Sequence, residues 1–560
     1  MQAHWTCEYS SQYNSLLNST TACRSRSSPP SVACENTHRK GRFVNPPIEG
    51  AVYHGREASL PDSSYDFCVV GGGIYGLSTA LLLKQRWPGK RVLVLEDNTI
   101  PGECITVNTG GIIRACYSDP NVMVVSQWSR RYYQSPREAM GLPFDLFAGF
   151  LPEGWIRAVN NRATPDILEE IERIASHAEK QGIPGVRVLP LKEYLARQSE
   201  QRRHNLNQVV DLEDITHVLE DENGGHTDGS AALEAFYTTC LHYGVDFSLN
   251  STVMDFLKRS GRIVGCKFVR HVSPEEGKRE IVAEETLSCD VTLIAAGLGG
   301  RKLVQIATGH EMPLYRSYHQ TPYIRNTPDT DFRQTAHERM ETVEHEGGER
   351  VRQTSFSHTD IPALSHWRNF YFTSEGEGVT VGAHHREVHA DDYEPEGGVL
   401  RTDSGEVRVG VIQSLFDMFL ENSDHFPIFD KSGLDLGNSP RDVPGGSYIM
   451  NPEELPFEGE VPGTGGTLFF AGSGSGTGFK LAPGVAKLLV DRIAGVRLDE
   501  RIISSPALSA ERSEYFYKPG TTDEELRRLF RSPEEGGRFY HVGAAGILVR
   551  AENTSSGHSS

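Results

Sequence analysis

The sequence predicts an α/β protein in which a doubly wound parallel sheet is interleaved along the chain with a mixed-sheet α+β domain. Three observations carry this. A glycine-rich turn near residue 71 joins a short apolar run to a helical stretch, and a second apolar run follows it. A second glycine loop near residue 475 also joins an apolar run to a helical pattern. Between 311 and 447 the sequence is instead mixed and strand-like, with charged insertions such as His345-Glu346-Gly347-Gly348-Glu349-Arg350.

Taken in order, residues 66–70 (Asp-Phe-Cys-Val-Val) read as a buried strand, 77–84 as a helix and 91–95 as a second buried strand ending at Glu96. Together they form a βαβ unit. The apolar run Val291-Thr292-Leu293-Ile294-Ala295-Ala296-Gly297 closes a second α/β region. Near the end come a strand at 467–471, a glycine loop at 472–478 and a helix at 483–494. Residues 1–60 are rich in Ser, Thr, Asn and Pro and lack the apolar core of a secretory signal. They are expected to be a disordered N-terminal extension, with an organelle transit peptide as the alternative. Residues 501–560 are expected to be a C-terminal tail, and its last residues do not match the Ser-Lys-Leu address.

Composition removes several function classes. The 560 residues carry 56 basic and 75 acidic side chains, a net charge of −19, and no basic stripe that could release counterions from nucleic acid. At 38% hydrophobic the chain can build a packed interior and is too apolar for wholesale disorder. No run of about 18 apolar residues exists, so no transmembrane helix is expected. All nine cysteines fall at or before Cys289, without CxxC pairs or regular spacing, which supports neither a zinc cage nor a disulfide framework. Reduced thiols in an intracellular compartment are expected, cytoplasmic with mitochondrial as the alternative.

The first motif that carries chemistry is G-x-G-x-x-G at Gly71, Gly73 and Gly76. Gly71 allows a tight turn, Gly73 lets backbone approach a pyrophosphate, and Gly76 lets helix and strand pack closely. The helix N-terminus adds free N–H groups and a partial positive charge. Glu96 lies 20 residues beyond Gly76, where a carboxylate binds ribose hydroxyls. This Rossmann-like arrangement points to a dinucleotide and leaves FAD and NAD open.

The second motif is Ala471-Gly472-Ser473-Gly474-Ser475-Gly476-Thr477-Gly478-Phe479-Lys480-Leu481-Ala482-Pro483. Taken with the first, it resembles the amine-oxidising FAD flavoenzymes of the D-amino-acid oxidase superfamily. The resemblance is closest to the monomeric sarcosine oxidase and fructosyl-amino-acid oxidase branch, which carries a Gly-x-Gly-Phe-Lys segment here. It extends from about residue 64 to 500 and is dense only at these landmarks. Physically, a glycine loop that opens a helix places N–H groups and a positive dipole end beside its ligand, favouring the negative charge of a reduced flavin.

The resemblance implies further roles. Asn108-Thr109-Gly110-Gly111-Ile112-Ile113-Arg114 follows the ribose acid, threads past the flavin and ends in a substrate-facing arginine, Arg114. Lys480 occupies the place of a second carboxylate-binding cation, and the two together would hold an amino-acid carboxylate. Phe370-Tyr371 and Gly378-Val379-Thr380-Val381-Gly382-Ala383-His384 resemble a stretch in which a lysine near flavin N5 activates oxygen. Thr380 stands where that lysine would be, which argues for slow oxygen chemistry and an electron acceptor other than oxygen. His384, Tyr371 and Tyr448 are expected to line the substrate side. His385 and His389 have no carboxylate in register, so no metal is expected.

For the cofactor, contacts are implied from Gly71, Gly73, Ile74, Tyr75, Gly76, Glu96, Asn108, Thr109, Gly110, Val253, Ala296 and Gly297. The second loop adds Gly474, Gly476, Thr477, Gly478, Phe479 and Lys480. Covalent attachment in the superfamily uses a Cys before the tyrosine matched by Tyr448 or a His at the place of Asn108. Here the first reads Gly446-Ser447-Tyr448 and neither nucleophile is present, so FAD is expected without a covalent link.

The implied plan is an FAD-binding domain from 61–135, 226–310 and 440–500, and a substrate domain from 136–225 and 311–439. The implied reaction is oxidation of a secondary or N-alkylated amino acid by hydride transfer to flavin N5. Two alternatives stay open. One is a 2-hydroxy-acid or amine dehydrogenase with a quinone or flavoprotein acceptor, and the other is a largely non-catalytic assembly factor.

Overall fold

A computed structural model of the chain describes residues 64–324, 331–383, 418–431 and 445–497, less a few positions within them, with short strand pieces at 395–396, 399–400, 541–543 and 547–549. The expectations for residues 1–60, for most of 501–560 and for His384, His385 and His389 lie outside the described residues.

The opening strand, Ser64–Val70, is central to an eight-stranded sheet. It pairs in parallel with Val92–Leu95 on one side and with Lys278–Ile294 on the other. With a strand on each side and its faces covered, its second half, from Phe67 to Val70, is buried, and Cys68 and Val69 have no exposure at all. The 17-residue strand Lys278–Ile294 has two partners on its far edge. Arg262–Glu275 runs antiparallel along most of its length, and Leu468–Gly472 joins in parallel at its last three residues. The strands at 64–95 and at 468–472, far apart in sequence, thus share one sheet.

The helix Ile74–Arg86 follows the first glycine turn at once, three residues earlier than the sequence predicts, because Gly73 serves as its N-cap. It is buried almost all round, against Gly478–Ile493 and Gly229–His242. Helix Gly478–Ile493 also begins earlier than predicted, and Pro483 lies inside it. Pro483 has no N–H for the carbonyl of Phe479, its i−4 acceptor. The Tyr133 hydroxyl, from helix Pro120–Gln134, donates to that carbonyl instead at 2.6 Å. One turn away, the Gly484 N–H donates to Ser129 Oγ at 2.8 Å. Donors and acceptors from a neighbouring helix therefore carry the backbone through the proline.

A seven-stranded mixed sheet forms the second layer. Its order is Tyr323–Ile324, Gly378–Ala383, Phe370–Glu375, Ala363–His366, Trp155–Val159, His217–Asp221 and Val186–Pro190. Chain before residue 222 and chain after 322 meet where Trp155–Val159 pairs in parallel with Ala363–His366. An aromatic cluster of Phe370, Phe372, Phe419, Phe426 and Phe429 packs one face of this sheet. Two small pairings tie the layers together: Tyr315–Gln320 with Gly445–Met450, and Ile112–Ile113 with Gly225–Thr227. Residues 136–150, placed with the substrate region on sequence, contribute Met140, Leu142, Leu146 and Phe150 to the same apolar core as Ile74 and Leu77. No helix among the described residues is long and apolar enough to cross a membrane.

Candidate active site

A cavity of about 640 Å³ opens along the C-terminal ends of the parallel strands, the place where open α/β sheets bind ligands. Gly71, Gly73, Ile74 and Tyr75 form one wall. Gly71 has φ +105°, and a Cβ there would lie 2.6 Å from the carbonyl oxygen of Ala295. Gly76 does not line the cavity. A Cβ on it would sit 1.8 Å from the Gly71 carbonyl oxygen, so its role is the close packing of turn and helix. At Gly73 a Cβ would meet only Thr106 Oγ1, at 3.5 Å. That backbone is open to a ligand, which is what a pyrophosphate cradle requires.

Glu96 lines the cavity beyond this turn. Its Oε2 accepts the Gly72 N–H at 2.6 Å, and its Oε1 accepts the Asn98 backbone and side-chain amides at 2.8 and 2.9 Å. Burial raises its carboxyl above the ordinary range, against the pull of these hydrogen bonds. Thr109, Val253, Ala296 and Gly297 also face the cavity. Gly110 does not; its Cβ position lies 3.4 Å from the ring of Tyr371. Nothing is described of the Asn108 side chain.

At the far end Gly474, Gly476, Gly478, Phe479 and Tyr448 close the wall. Thr477 turns inward instead, and both its N–H and its hydroxyl donate to the Gly474 carbonyl at 2.6 Å. The Tyr448 ring covers Gly476, whose added Cβ would lie 3.0 Å from it. The Tyr448 hydroxyl is 3.5 Å from that of Tyr371, which hangs from the second sheet. Burial raises both phenols above their ordinary range, so both remain protonated. Gly382 pairs across from Tyr371 and leaves room for its ring; a Cβ there would be 2.0 Å from the ring.

Arg114 and Lys480 are both buried, at 2% and 8% exposure, and neither lines the cavity itself. The Arg114 guanidinium lies over the rings of Tyr117 (4.3 Å) and Trp155 (4.9 Å) and donates to the Cys116 carbonyl. The next residue, Ala115, donates its N–H to Asp221 Oδ2 at 2.7 Å, and Asp221 is ion-paired with Arg130 at 3.1 Å. Burial and the charge of Arg114 drive the Lys480 ammonium far below its ordinary range. The protonated form of Lys480 is thus disfavoured in the free site, and an anion beside it would favour that form again.

Thr380 is 2% exposed on Gly378–Ala383, opposite Thr373 and Tyr323. Several cavity residues carried no sequence signal. Thr106 Oγ1 accepts the Ile74 N–H at 3.3 Å, and His319 stacks on Tyr448 with ring centroids 4.1 Å apart. Among the described residues no group of His, Cys, Asp and Glu could hold a metal.

The chain is similar to known proteins in three ways. The family model described as "DAO: FAD dependent oxidoreductase" matches residues 66–492. The L-2-hydroxyglutarate dehydrogenase of Escherichia coli (strain K12) is 41% identical over 51 residues, 9% of this chain and 12% of that protein. FAD-dependent oxidoreductase domain-containing protein 1 of Xenopus laevis is 25% identical over 260 residues, 44% of this chain and 49% of its own. Both matches span less than half of the relative's length. Among solved structures, L-proline dehydrogenase from P. horikoshii superposes with a TM-score of 0.57 at 18% identity, covering 79% of this chain and 96% of that one.

Proposed function

We infer the function from one premise: the chain belongs to the DAO family of FAD dependent oxidoreductases. Within it, we place the chain with the sarcosine-oxidase-like branch, on its Gly-Phe-Lys segment, and assign it the oxidation of the C–N bond of a secondary or N-alkylated amino acid. The observation that carries this reading is that Arg114 and Lys480 are both buried, with the Arg114 charge acting on Lys480. L-proline dehydrogenase shares the fold, and proline is a secondary amine bearing a carboxylate; at 18% identity that likeness is one of fold.

In this reading Gly71, Gly73 and Glu96 hold the dinucleotide half of FAD, and the loop 474–479 meets its ring system. When bound, FAD supplies the two-electron acceptor for the hydride that leaves the substrate carbon. The chain supplies position. Arg114, its plane fixed by two aromatic rings and the Cys116 carbonyl, receives the carboxylate. Lys480 provides the second cation. Tyr371 and Tyr448, both protonated, would offer hydroxyl donors at this end of the site. Neither of the family's two attachment nucleophiles stands at its place, beside Tyr448 or at Asn108, which supports FAD bound without a covalent link.

Thr380 supports an acceptor other than oxygen. A neutral side chain at that strand position supplies no charge to stabilise electron transfer to oxygen. Stopped-flow mixing of the reduced protein with oxygenated buffer should show reoxidation far slower than reduction by substrate, and an artificial quinone should reoxidise it well. A 2-hydroxy acid is the second reading, favoured by the 51-residue match to L-2-hydroxyglutarate dehydrogenase. An anaerobic screen of flavin bleaching by N-methyl amino acids, cyclic amino acids and 2-hydroxy acids separates the two; bleaching by hydroxy acids alone would overturn the amine reading.

A further inference from the structure

The loop that ends the cavity is held in an unusual conformation. Ser473 has φ +63° and Ser475 has φ +43°, both in the left-handed region that residues with a Cβ seldom enter. Gly476, at φ +79°, is the only glycine among the three. Such backbone persists only where surrounding contacts over-determine it, and it gathers at functional sites.

Asn451 makes most of those contacts, with its side chain and its backbone. Asn451 has no exposure. Its amide Nδ2 donates to the Ser473 carbonyl at 3.1 Å and reaches Ser473 Oγ and the Leu455 carbonyl as well. The Asn451 N–H donates to Ser475 Oγ at 3.2 Å, and the Ser475 N–H donates to the Ile449 carbonyl at 3.0 Å. Both left-handed serines therefore bind Asn451, Ser473 through the asparagine's side-chain amide and Ser475 through its backbone N–H. Asn451 also continues the strand Gly445–Met450, which carries Tyr448, the ring lying over Gly476. Strand, asparagine and loop form one unit, and Ser473, Gly474, Ser475 and Gly476 all face the cavity.

We propose that the Asn451 side chain is a positioning group: by holding Ser473 left-handed it fixes the loop's backbone dipoles against the flavin and so sets the cofactor's reduction potential without touching it. This rests on the reading that the loop meets the ring system. Fixed N–H dipoles stabilise the anionic reduced form more than the neutral oxidised form. Loosening the loop therefore weakens binding of the reduced cofactor most, and the midpoint potential falls.

The test is the midpoint potential of the FAD-loaded protein. Asn451→Leu keeps the branched outline, at a larger volume, and removes the donors. It should lose affinity for reduced flavin roughly tenfold more than for oxidised flavin, which for a two-electron couple is a fall of about 30 mV. Ser473→Gly added to it should restore the potential, because glycine adopts positive φ without steric cost. A merely structural defect would not be rescued in this way. If Asn451→Leu folds with the wild-type potential, the proposal is overturned. If it does not fold, Asn451→Ser, which keeps a single short hydroxyl, gives the same reading, and an unchanged potential overturns the proposal equally. Amide exchange of residues 473–479 with and without FAD tests the underlying placement separately. No protection by FAD rejects the loop as a flavin contact, whereas protection with an unchanged potential rejects only the role of Asn451.

Discussion

The hydroxyl of Tyr133 donates to the carbonyl of Phe479 at 2.6 Å, the acceptor that Pro483 leaves without its helical donor. That bond lets the helix start at Gly478 rather than at the proline, and so places Lys480 in the first helical turn. Tyr133→Phe would remove a part-buried hydrogen bond, at a cost of about 0.5–1.5 kcal/mol. Chemical denaturation should show this loss. Substrate affinity should fall as well, since the turn carrying Lys480 is loosened, whereas loss of stability alone would mean the turn is fixed by other contacts.

Gly73→Val should separate folding from cofactor binding. The space above Gly73 is open to Thr106 at 3.5 Å, so the fold has room for the first carbon of a side chain, but the cavity does not stay clear. The purified variant should melt cooperatively and be colourless. In the unsubstituted protein, acid precipitation should release all the yellow colour into the supernatant as FAD; colour retained by the precipitate would establish a covalent link.

How much of this was legible in the sequence depended on whether the cause was local. Gly71 and Gly76 are dictated by backbone only a few residues or one strand away, so their spacing showed in the chain. Glu96 follows from the length of one βαβ unit. Arg114 was found by position in a pattern, but nothing local announced that Trp155 and Tyr117 would flank its guanidinium. His319 on Tyr448, and Asn451 under the glycine loop, join residues with no common periodicity. The helix start at Gly478 was misread because the rule that proline begins a helix is local, while the groups that overrule it, Ser129 and Tyr133, stand on another helix.

Lys480 should take up a proton when an anion binds. Burial and Arg114 hold its ammonium below the ordinary range in the free site, and a carboxylate beside it pushes that value back up. A carboxylate inhibitor without an amine should therefore bind more weakly as the pH rises through the free-site value. Calorimetry in buffers of different ionisation enthalpy should detect proton uptake, and Lys480→Met should abolish it.

Glu153 should govern acid stability. It accepts from His226 Nδ1 at 2.8 Å, from Ser374 Oγ at 2.6 Å and from His358 Nε2. Burial pushes its carboxyl up, but the two histidines outweigh this and hold it at about 2, below an ordinary 4.5. Because the folded value is the lower one, the stability it contributes is present above 4.5 and lost as the pH falls through about 2. On the order of 3 kcal/mol is involved. Unfolding free energies measured from pH 6 to pH 2 should fall less steeply for Glu153→Gln than for the unsubstituted protein, and equal slopes would assign the acid sensitivity elsewhere.

Anaerobic reduction of the bound flavin by a matched pair of amines tests the central claim most directly. One is an N-methyl amino acid, and the other is the same secondary amine with its carboxylate replaced by a methyl group. The first should bleach the flavin absorbance, with affinity falling by about 1.5–3 kcal/mol in Arg114→Ala and in Lys480→Ala, as expected for a charge-assisted hydrogen bond. The second should leave the spectrum unchanged. Equal bleaching by both amines, with no effect of either substitution, would contradict the assignment of this site to the carboxylate of an amino-acid substrate.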